Sequence, residues 1–322
     1  MERLSAKTLA AALLAGGLAL FATVSLAQDS GTIRFRPTDQ IVQDRTGAPP
    51  RRNAPALWRV SRNEGTNVYL FGTLHVLPEG VAWRTPVYDA AMADAEVTAI
   101  ETDSESPAAQ ERLQALVQRY GVRKKGLLSD LLGPERWRAF EDRARAVGVD
   151  PDGLQRAEPW LAILSVTMAA FEKEGFGGGE GVDDAVLDQA RLEADVIAFL
   201  EPVDAQIKAM ASLDADGDLA SFDASLEELT NFRQQTETML TAWSSGDLEG
   251  LEAVALTDLR RIAPAAYEAL FVDRNAAWLG KIDAYLGGDQ DVFVAVGAGH
   301  LVGPDGLVAK LKARGVSVER LQ

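Results

Sequence analysis

Only two histidines occur in this chain, and both stand in the same setting. Val68-Tyr-Leu-Phe71 has the β-branched, aromatic and aliphatic composition of a buried strand, and the strand is expected to break at Gly72, three residues before His75. Far along the chain, Val292-Phe-Val-Ala-Val296 runs into Gly297-Ala-Gly-His300, and the arrangement repeats. Glycine fills 28 of 322 positions, so a glycine three residues before both histidines arises by chance in roughly one sequence per hundred. Such a glycine lets the chain turn sharply, or brings backbone close to a bound ion or substrate. A carboxylate has a similar place: Val97 to Ile100 is a short apolar strand ending in Glu101-Thr-Asp103. Open α/β sheets put their sites at such strand ends.

Two chemistries suit these residues. Two imidazoles and a carboxylate make a facial set for Zn, Mn, Co or Fe, with His75, Glu101 and His300 as ligands and positions left for water and substrate. A metal there lowers the pKa of bound water and makes a hydrolytic nucleophile. The metal-free version uses histidine as general base with Glu101 orienting it. The plain readings are a satisfied polar histidine in a loop and an exposed acid among dozens. The chain has no His-Glu-x-x-His helix and no Gly-x-Ser-x-Gly elbow, which removes the standard zincin and α/β-hydrolase mechanisms. Phe176-Gly-Gly-Gly-Glu-Gly181 reads as a flexible loop. It lacks the strand and the Lys-Ser/Thr of a phosphate cradle.

The elements that must position these residues follow from pattern. Leu57-Trp-Arg-Val60 and Asn67 to Phe71 read as a β-hairpin around a turn-rich loop. A helix is expected from about Pro86 to Ala95, with proline in its first turn. Ala108 to about Ala170 has the three- and four-residue spacing of amphipathic helices, and Val182 to Leu192 returns to helix. Val196 to Leu200 is a strand ending in Glu201-Pro202, a second acid at a strand end. Residues 203 to 287 are helical, with Arg274-Asn275 placed late in a helix that closes before Gly287-Gly288. Facing a pocket is one reading of the pair; the plain one is polar residues on the surface beside a buried tryptophan, Trp278. The chain ends as strand 292–296, a helix from Gly306 to Arg314 stopped by Gly315, and strand Val316 to Leu321.

Residues 1–27 read as an export signal: Arg3 and Lys7, an uncharged Ala- and Leu-rich core to Val24, then Ser25-Leu-Ala27. The mature chain is expected to start at Gln28, with residues 28–55 a polar linker and 56–322 the folded unit, a helical insertion occupying about 108–287. Losing residues 1–27 removes Glu2, Arg3 and Lys7 and leaves 30 basic and 47 acidic side chains, a formal charge of −17. That surface repels phosphate backbones and anionic membranes, so nucleic acid is not an expected partner. No later segment is apolar and long enough to span a bilayer, so no stable membrane insertion is expected after signal cleavage. The chain has no cysteine, which excludes disulfides, thiolate chemistry and lipid attachment at the signal junction. A periplasmic or secreted protein of a bacterial envelope fits these features.

In order along the chain, Leu57-Trp-Arg-Val60, Val68-Tyr-Leu-Phe-Gly-Thr-Leu-His75, Glu101-Thr-Asp103, Gly181-Val-Asp183, Leu200-Glu201, Arg274-Asn275 and Val294-Ala-Val-Gly-Ala-Gly-His-Leu301 resemble the TraB/GumN family. That family is also called TraB/PrgY/GumN and includes the animal TIKI proteins. The resemblance runs from about residue 54 to 322. It implies an α/β fold, a mixed central sheet with strand-end Gly-x-x-His motifs and a large helical insertion, related to the EreA/ChaN-like group. It implies Mn- or Co-dependent proteolysis, with Zn as a further candidate, on His75, His300 and Glu101, with Arg274 and Asn275 near the site. The expectation is an exported metal-dependent hydrolase, with peptide or another small envelope molecule as substrate. Glu101 then takes part in catalysis, Arg274 stabilises anionic charge on the substrate, and Asn275 lies beside it. The alternative is a non-catalytic envelope protein binding peptide, polysaccharide precursor or a haem-like ligand. His300→Ala is expected to cost little stability, since a histidine in a strand-end loop makes few core contacts.

Overall fold

The computed structural model describes residues 54–62, 65–176, 181–213 and 219–322. The segments read as export signal and linker lie outside the described residues except for Ala54 and Pro55, as do residues 177–180 of the glycine-rich loop. The elements run β1 (Leu57–Ser61), β2 (Asn67–Thr73), α1 (Pro86–Asp94), β3 (Val97–Ile100), α2 (Pro107–Tyr120), α3 (Leu128–Ala146), α4 (Pro159–Lys173), α5 (Val182–Glu193) and β4 (Val196–Phe199). Then follow α6 (Val203–Ala211), α7 (Ala220–Glu228), α8 (Phe232–Ser244), α9 (Leu248–Glu252), α10 (Asp258–Ile262), α11 (Pro264–Tyr267) and α12 (Asp273–Tyr285). The chain closes with β5 (Val292–Gly297), α13 (Leu307–Ala313) and β6 (Ser317–Arg320). The protein is a mixed α/β fold, mostly helical, around a six-stranded mixed sheet ordered β4-β3-β5-β2-β1-β6.

The hairpin expected at the start is present, with Leu57 opposite Phe71 and Ser61 opposite Asn67. β6 pairs antiparallel with β1, while β2, β5, β3 and β4 are parallel neighbours. Alternation along each strand sends side chains to two apolar layers. Phe293, Ala295, Tyr69 and Phe71 face the larger layer with α1 and the helices between β3 and β5. Val292, Val294, Val296, Val68 and Leu70 face the smaller one with α12 and α13. Every residue of β3 and β5 is buried, as a central parallel sheet requires, whereas Val196 on edge strand β4 is 60% exposed. β4 therefore belongs to the sheet, and the long span between β3 and β5 is not wholly helical.

Neighbouring strands β2 and β5 feed helices on opposite layers, α1 on the larger and α13 on the smaller. Opposed exits from adjacent parallel strands open a crevice at their carboxyl ends, the standard position for a ligand in an open sheet. Thr73 pairs with Gly297 across this crevice. β2 does not break at Gly72 as the glycine suggested; it continues through Thr73. What Gly72 provides is contact distance. A Cβ there would lie 3.0 Å from Ala298 Cβ, so the bare backbone lets the second Gly-x-x-His turn lie against the first strand.

Candidate functional site

Four strand ends deliver the polar residues. His75 follows β2 by two residues, Glu101 follows β3, Glu201 follows β4 by two, and His300 lies in the 3₁₀ turn Ala298–Leu301 directly after β5. The register of the parallel strands puts all four on one edge of the sheet. Helix α5 adds Asp183 in its first turn, and α12 adds Arg274 and Asn275.

His75 Nδ1 lies 2.6 Å from Asp183 Oδ2, an ion-pair contact not aligned as a hydrogen bond. Thr73 donates to the other oxygen of Asp183. The same carboxylate thus ties strand β2 to its imidazole, and it sits at a helix N-terminus that favours negative charge. His75 Nε2 is buried without a hydrogen-bond partner. Burial alone would favour the neutral ring. Asp183, Glu101 and Asp184 together outweigh it, and the pKa of His75 is raised to about 9.

Around Glu101 the contacts are dense. Its Oε1 accepts from Gly297 N at 2.7 Å, and its Oε2 from Arg274 Nη2 at 2.6 Å and Gln206 Nε2 at 3.1 Å. Burial, the largest single influence, would raise this carboxyl, but Arg274, His75 and the Gly297 N–H together outweigh it, and the pKa falls to about 2. Arg274 joins Glu101 to His300 by contacts to both, whereas the close contact of His75 is with Asp183. A carboxylate with folded pKa about 2 against 4.5 unfolded contributes stability that is complete above pH 4.5 and lost as pH falls towards 2. The contribution is about 3 kcal/mol. Glu101→Gln should therefore flatten the acid limb of stability, read from urea midpoints between pH 7 and 3. Parallel wild-type and variant curves would refute it.

His300 is fully buried, with Trp278 at 4.4 Å and Phe271 at 4.9 Å between ring centroids. Asn275 fixes its tautomer. The amide nitrogen of Asn275 donates to His300 O at 3.3 Å and Asp305 O at 2.9 Å, which leaves Asn275 Oδ1 as the acceptor 2.7 Å from His300 Nδ1. Nδ1 therefore carries the proton, and the Nε2 lone pair faces Arg274 Nη1 at 3.2 Å. The expectation that His300 contributes little to the core is thereby corrected: the loop is packed into the interior, and His300→Ala should cost about 2–4 kcal/mol. Thermal melting decides it, since a near-wild-type midpoint would mean that the ring is dispensable to packing.

Arg274 and Asn275 stand in the first turn of α12, not late in a helix, and both are buried rather than on the surface. The π-helical turn Glu268–Val272 precedes them; its unbroken helical appearance in sequence hid the boundary. Every N–H of the guanidinium is used. Nε donates to Glu201 Oε1 at 2.9 Å, and Nη2 to Glu201 Oε1 at 2.7 Å and Glu101 Oε2. Nη1 donates to Leu270 O at 3.2 Å and His300 Nε2. The plane also lies 4.8 Å from the Trp278 ring centroid. Glu201 accepts in addition from Trp278 Nε1 at 3.1 Å. Burial raises the pKa of Glu201, opposed by Arg274.

The chain matches the model of the TraB/PrgY/gumN family over residues 56–320. It belongs to that family. No curated protein and no solved structure matches it. For a TraB/PrgY/gumN chain expected to carry a metal on His75, Glu101 and His300, the donor set can be tested directly. His300 Nε2 and Glu101 Oε2 both face Arg274, and among the described residues no three His, Asp or Glu groups are disposed to hold an ion. As arranged, the residues do not fit a divalent metal, because the chain's own cation takes the lone pairs that would bind it.

Sequence reasoning gave no role to Asp183, Glu201, Thr73 or Gln206 in this TraB/PrgY/gumN site. Glu201 had a signal, an acid ending an apolar strand. Asp183 had a weaker one, an acid in the first turn of a helix after a glycine-rich loop. Gln206 had none: its partner, Glu101, is 105 positions away.

Proposed function

We propose that the chain is an exported hydrolase, with peptides as its first candidate substrates, and that His75 moves the proton. The observation that carries this reading is a set of buried polar atoms without hydrogen-bond partners on residues at or bonded to the strand ends. They are His75 Nε2, the hydroxyl of Thr102, which follows Glu101 in the chain, and Oε1 of Gln206, whose amide nitrogen bonds Glu101. Buried unsatisfied atoms cost about 1–3 kcal/mol each, and such atoms suit a ligand that brings its own donors and acceptors. Asp183 holds the His75 ring with Nε2 directed away from that carboxylate. In the protonated form Nε2 gives a proton to a carbonyl oxygen or a leaving amine; in the neutral form it takes one from water. Arg274 has no spare N–H for substrate, so it acts on developing negative charge by its field alone. The kinship with the EreA/ChaN-like group and the periplasmic or secreted location are parts of the same proposal. The metal-dependent form of the reading, with Mn or Co on His75, Glu101 and His300, requires Arg274 to withdraw first.

The second reading, a non-catalytic envelope protein for peptide, polysaccharide precursor or a haem-like ligand, is supported by closure. Glu101, Arg274 and His300 are each at most 5% exposed. The mature chain, purified without a polyhistidine tag, is presented with a peptide library, with and without Mn or Co. Cleavage that disappears in His75→Ala supports the hydrolase. Saturable binding without turnover replaces it by the second reading.

A further inference from the structure

A guanidinium lies between Glu101 and His300, where the family resemblance implies a metal with Arg274 only near it. Those are two of the three residues implied as metal ligands. Arg274 is the opposite of a passing side chain there. Its five N–H groups, the full complement of an arginine, all have acceptors. On one side they reach Glu101 and His300, and on the other Glu201 and a carbonyl of the preceding π turn. Trp278 lies beneath the plane and ties down the second oxygen of Glu201. Asn275, the next residue, sets the His300 tautomer that lends Arg274 its lone pair. The anchoring on Glu201 matters most. Vacating the Glu101–His300 side would strand a buried carboxylate on the other.

We propose that Arg274 is the resident cation of this site, so that the guanidinium and a divalent metal compete for Glu101 Oε2 and His300 Nε2. Metal and arginine are mutually exclusive on three grounds. Each acceptor lone pair aimed at Nη1 or Nη2 is one that a metal needs. Like charges at such separation repel strongly where water is excluded. The carboxylates also already have their cation: Arg274 Nη2 pairs with both Glu101 and Glu201. The wild-type chain should accordingly bind Mn²⁺, Co²⁺ or Zn²⁺ weakly at this place. The same donors without Arg274 should bind them better, because Glu101 Oε2, Glu201 Oε1 and His300 Nε2, which all face its guanidinium, are then left without their cation. The inference concerns the residues of the hydrolase proposal but is read without turnover, so either can fail alone.

The test is titration of the full mature chain, stripped with chelator, with Co²⁺ and Zn²⁺ by calorimetry and by the visible absorption of bound Co²⁺. Wild type should show no stoichiometric site. Arg274→Ala should bind one ion about 100-fold tighter than wild type, and Arg274→Ala with His300→Ala should lose that gain. Because Arg274→Ala leaves buried carboxylates and is expected to be unstable, its melting is followed alongside. Co²⁺ or Zn²⁺ should raise the midpoint of Arg274→Ala and leave that of wild type in place. Arg274→Lys, which keeps a positive charge, should stay metal-free. One tight equivalent on wild type that His300→Ala removes would overturn the proposal. So would an Arg274→Ala chain that gains neither affinity nor stability from either ion.

Discussion

Arg274→Ala in metal-free buffer should lose about 3–5 kcal/mol of stability, the largest effect of any single substitution at the site. The magnitude comes from what remains behind. Glu101 and Glu201 are 4% and 6% exposed, and both rely on the same guanidinium. Without it, each must carry an unpaired charge in the interior or take up a proton. Glu201, already pushed upward by burial, protonates first. Glu101 keeps the Gly297 N–H and the Gln206 amide and is the better held of the two. A second substitution therefore discriminates. Adding Glu201→Gln to Arg274→Ala should recover part of the loss, because it removes the carboxylate with less remaining support. Glu201→Gln alone should destabilise, since it weakens a neutralising partner of Arg274. Urea unfolding of the four chains gives the coupling directly. Additive losses would mean that the pair does not act as a unit.

The polar cluster also shows which parts of this protein its sequence displays. Local pattern located the sheet and the helix next to it closely. Val97–Ile100 is a strand with the expected ends, and the helix at Pro86 starts where Thr85 caps it through Tyr88 N. Those elements are visible because side-chain periodicity, proline and capping act within a few residues. The two histidines and Glu101 were visible for a related reason: each comes within three residues of the end of an apolar strand, and parallel strands bring their ends together. Partnerships were not visible. His75 depends on an aspartate in α5, Glu101 on an arginine in α12, and His300 on the neighbour of that arginine. Nothing local marks such pairs. The π turn before Arg274 added a second obstacle, since a helical run with a wide turn has the composition of an unbroken helix. The first glycine motif was read as a strand break and a place where backbone approaches a bound ion or substrate; β2 instead runs through Gly72, whose close neighbour is Ala298. Gly72 is extended and Gly297 has φ of −49°, so neither glycine is there for a left-handed turn.

A different glycine carries the other large effect. Gly181→Ala should lower any activity of the site about 100-fold while costing about 1–3 kcal/mol of stability. A Cβ on Gly181 would overlap the carbonyl oxygen of His75 and come within 3.0 Å of its carbonyl carbon. These are backbone atoms, so no rotamer change relieves the overlap. Either the end of β2 or the start of α5 must move. The two are pinned together here, Val182 N donating to Leu74 O at 2.9 Å and Asp183 reaching both Thr73 and His75. A shift that accommodates the methyl group therefore separates Asp183 from His75, the contact that orients the ring and raises its pKa. Two measurements distinguish this from general damage. The His75 imidazole should titrate closer to the ordinary histidine range when followed by nuclear magnetic resonance, and the circular dichroism spectrum should keep its native shape. A Gly181→Ala chain with an unaltered His75 titration would show that α5 can yield without carrying Asp183 away, and that the first turn of α5 does not set the histidine.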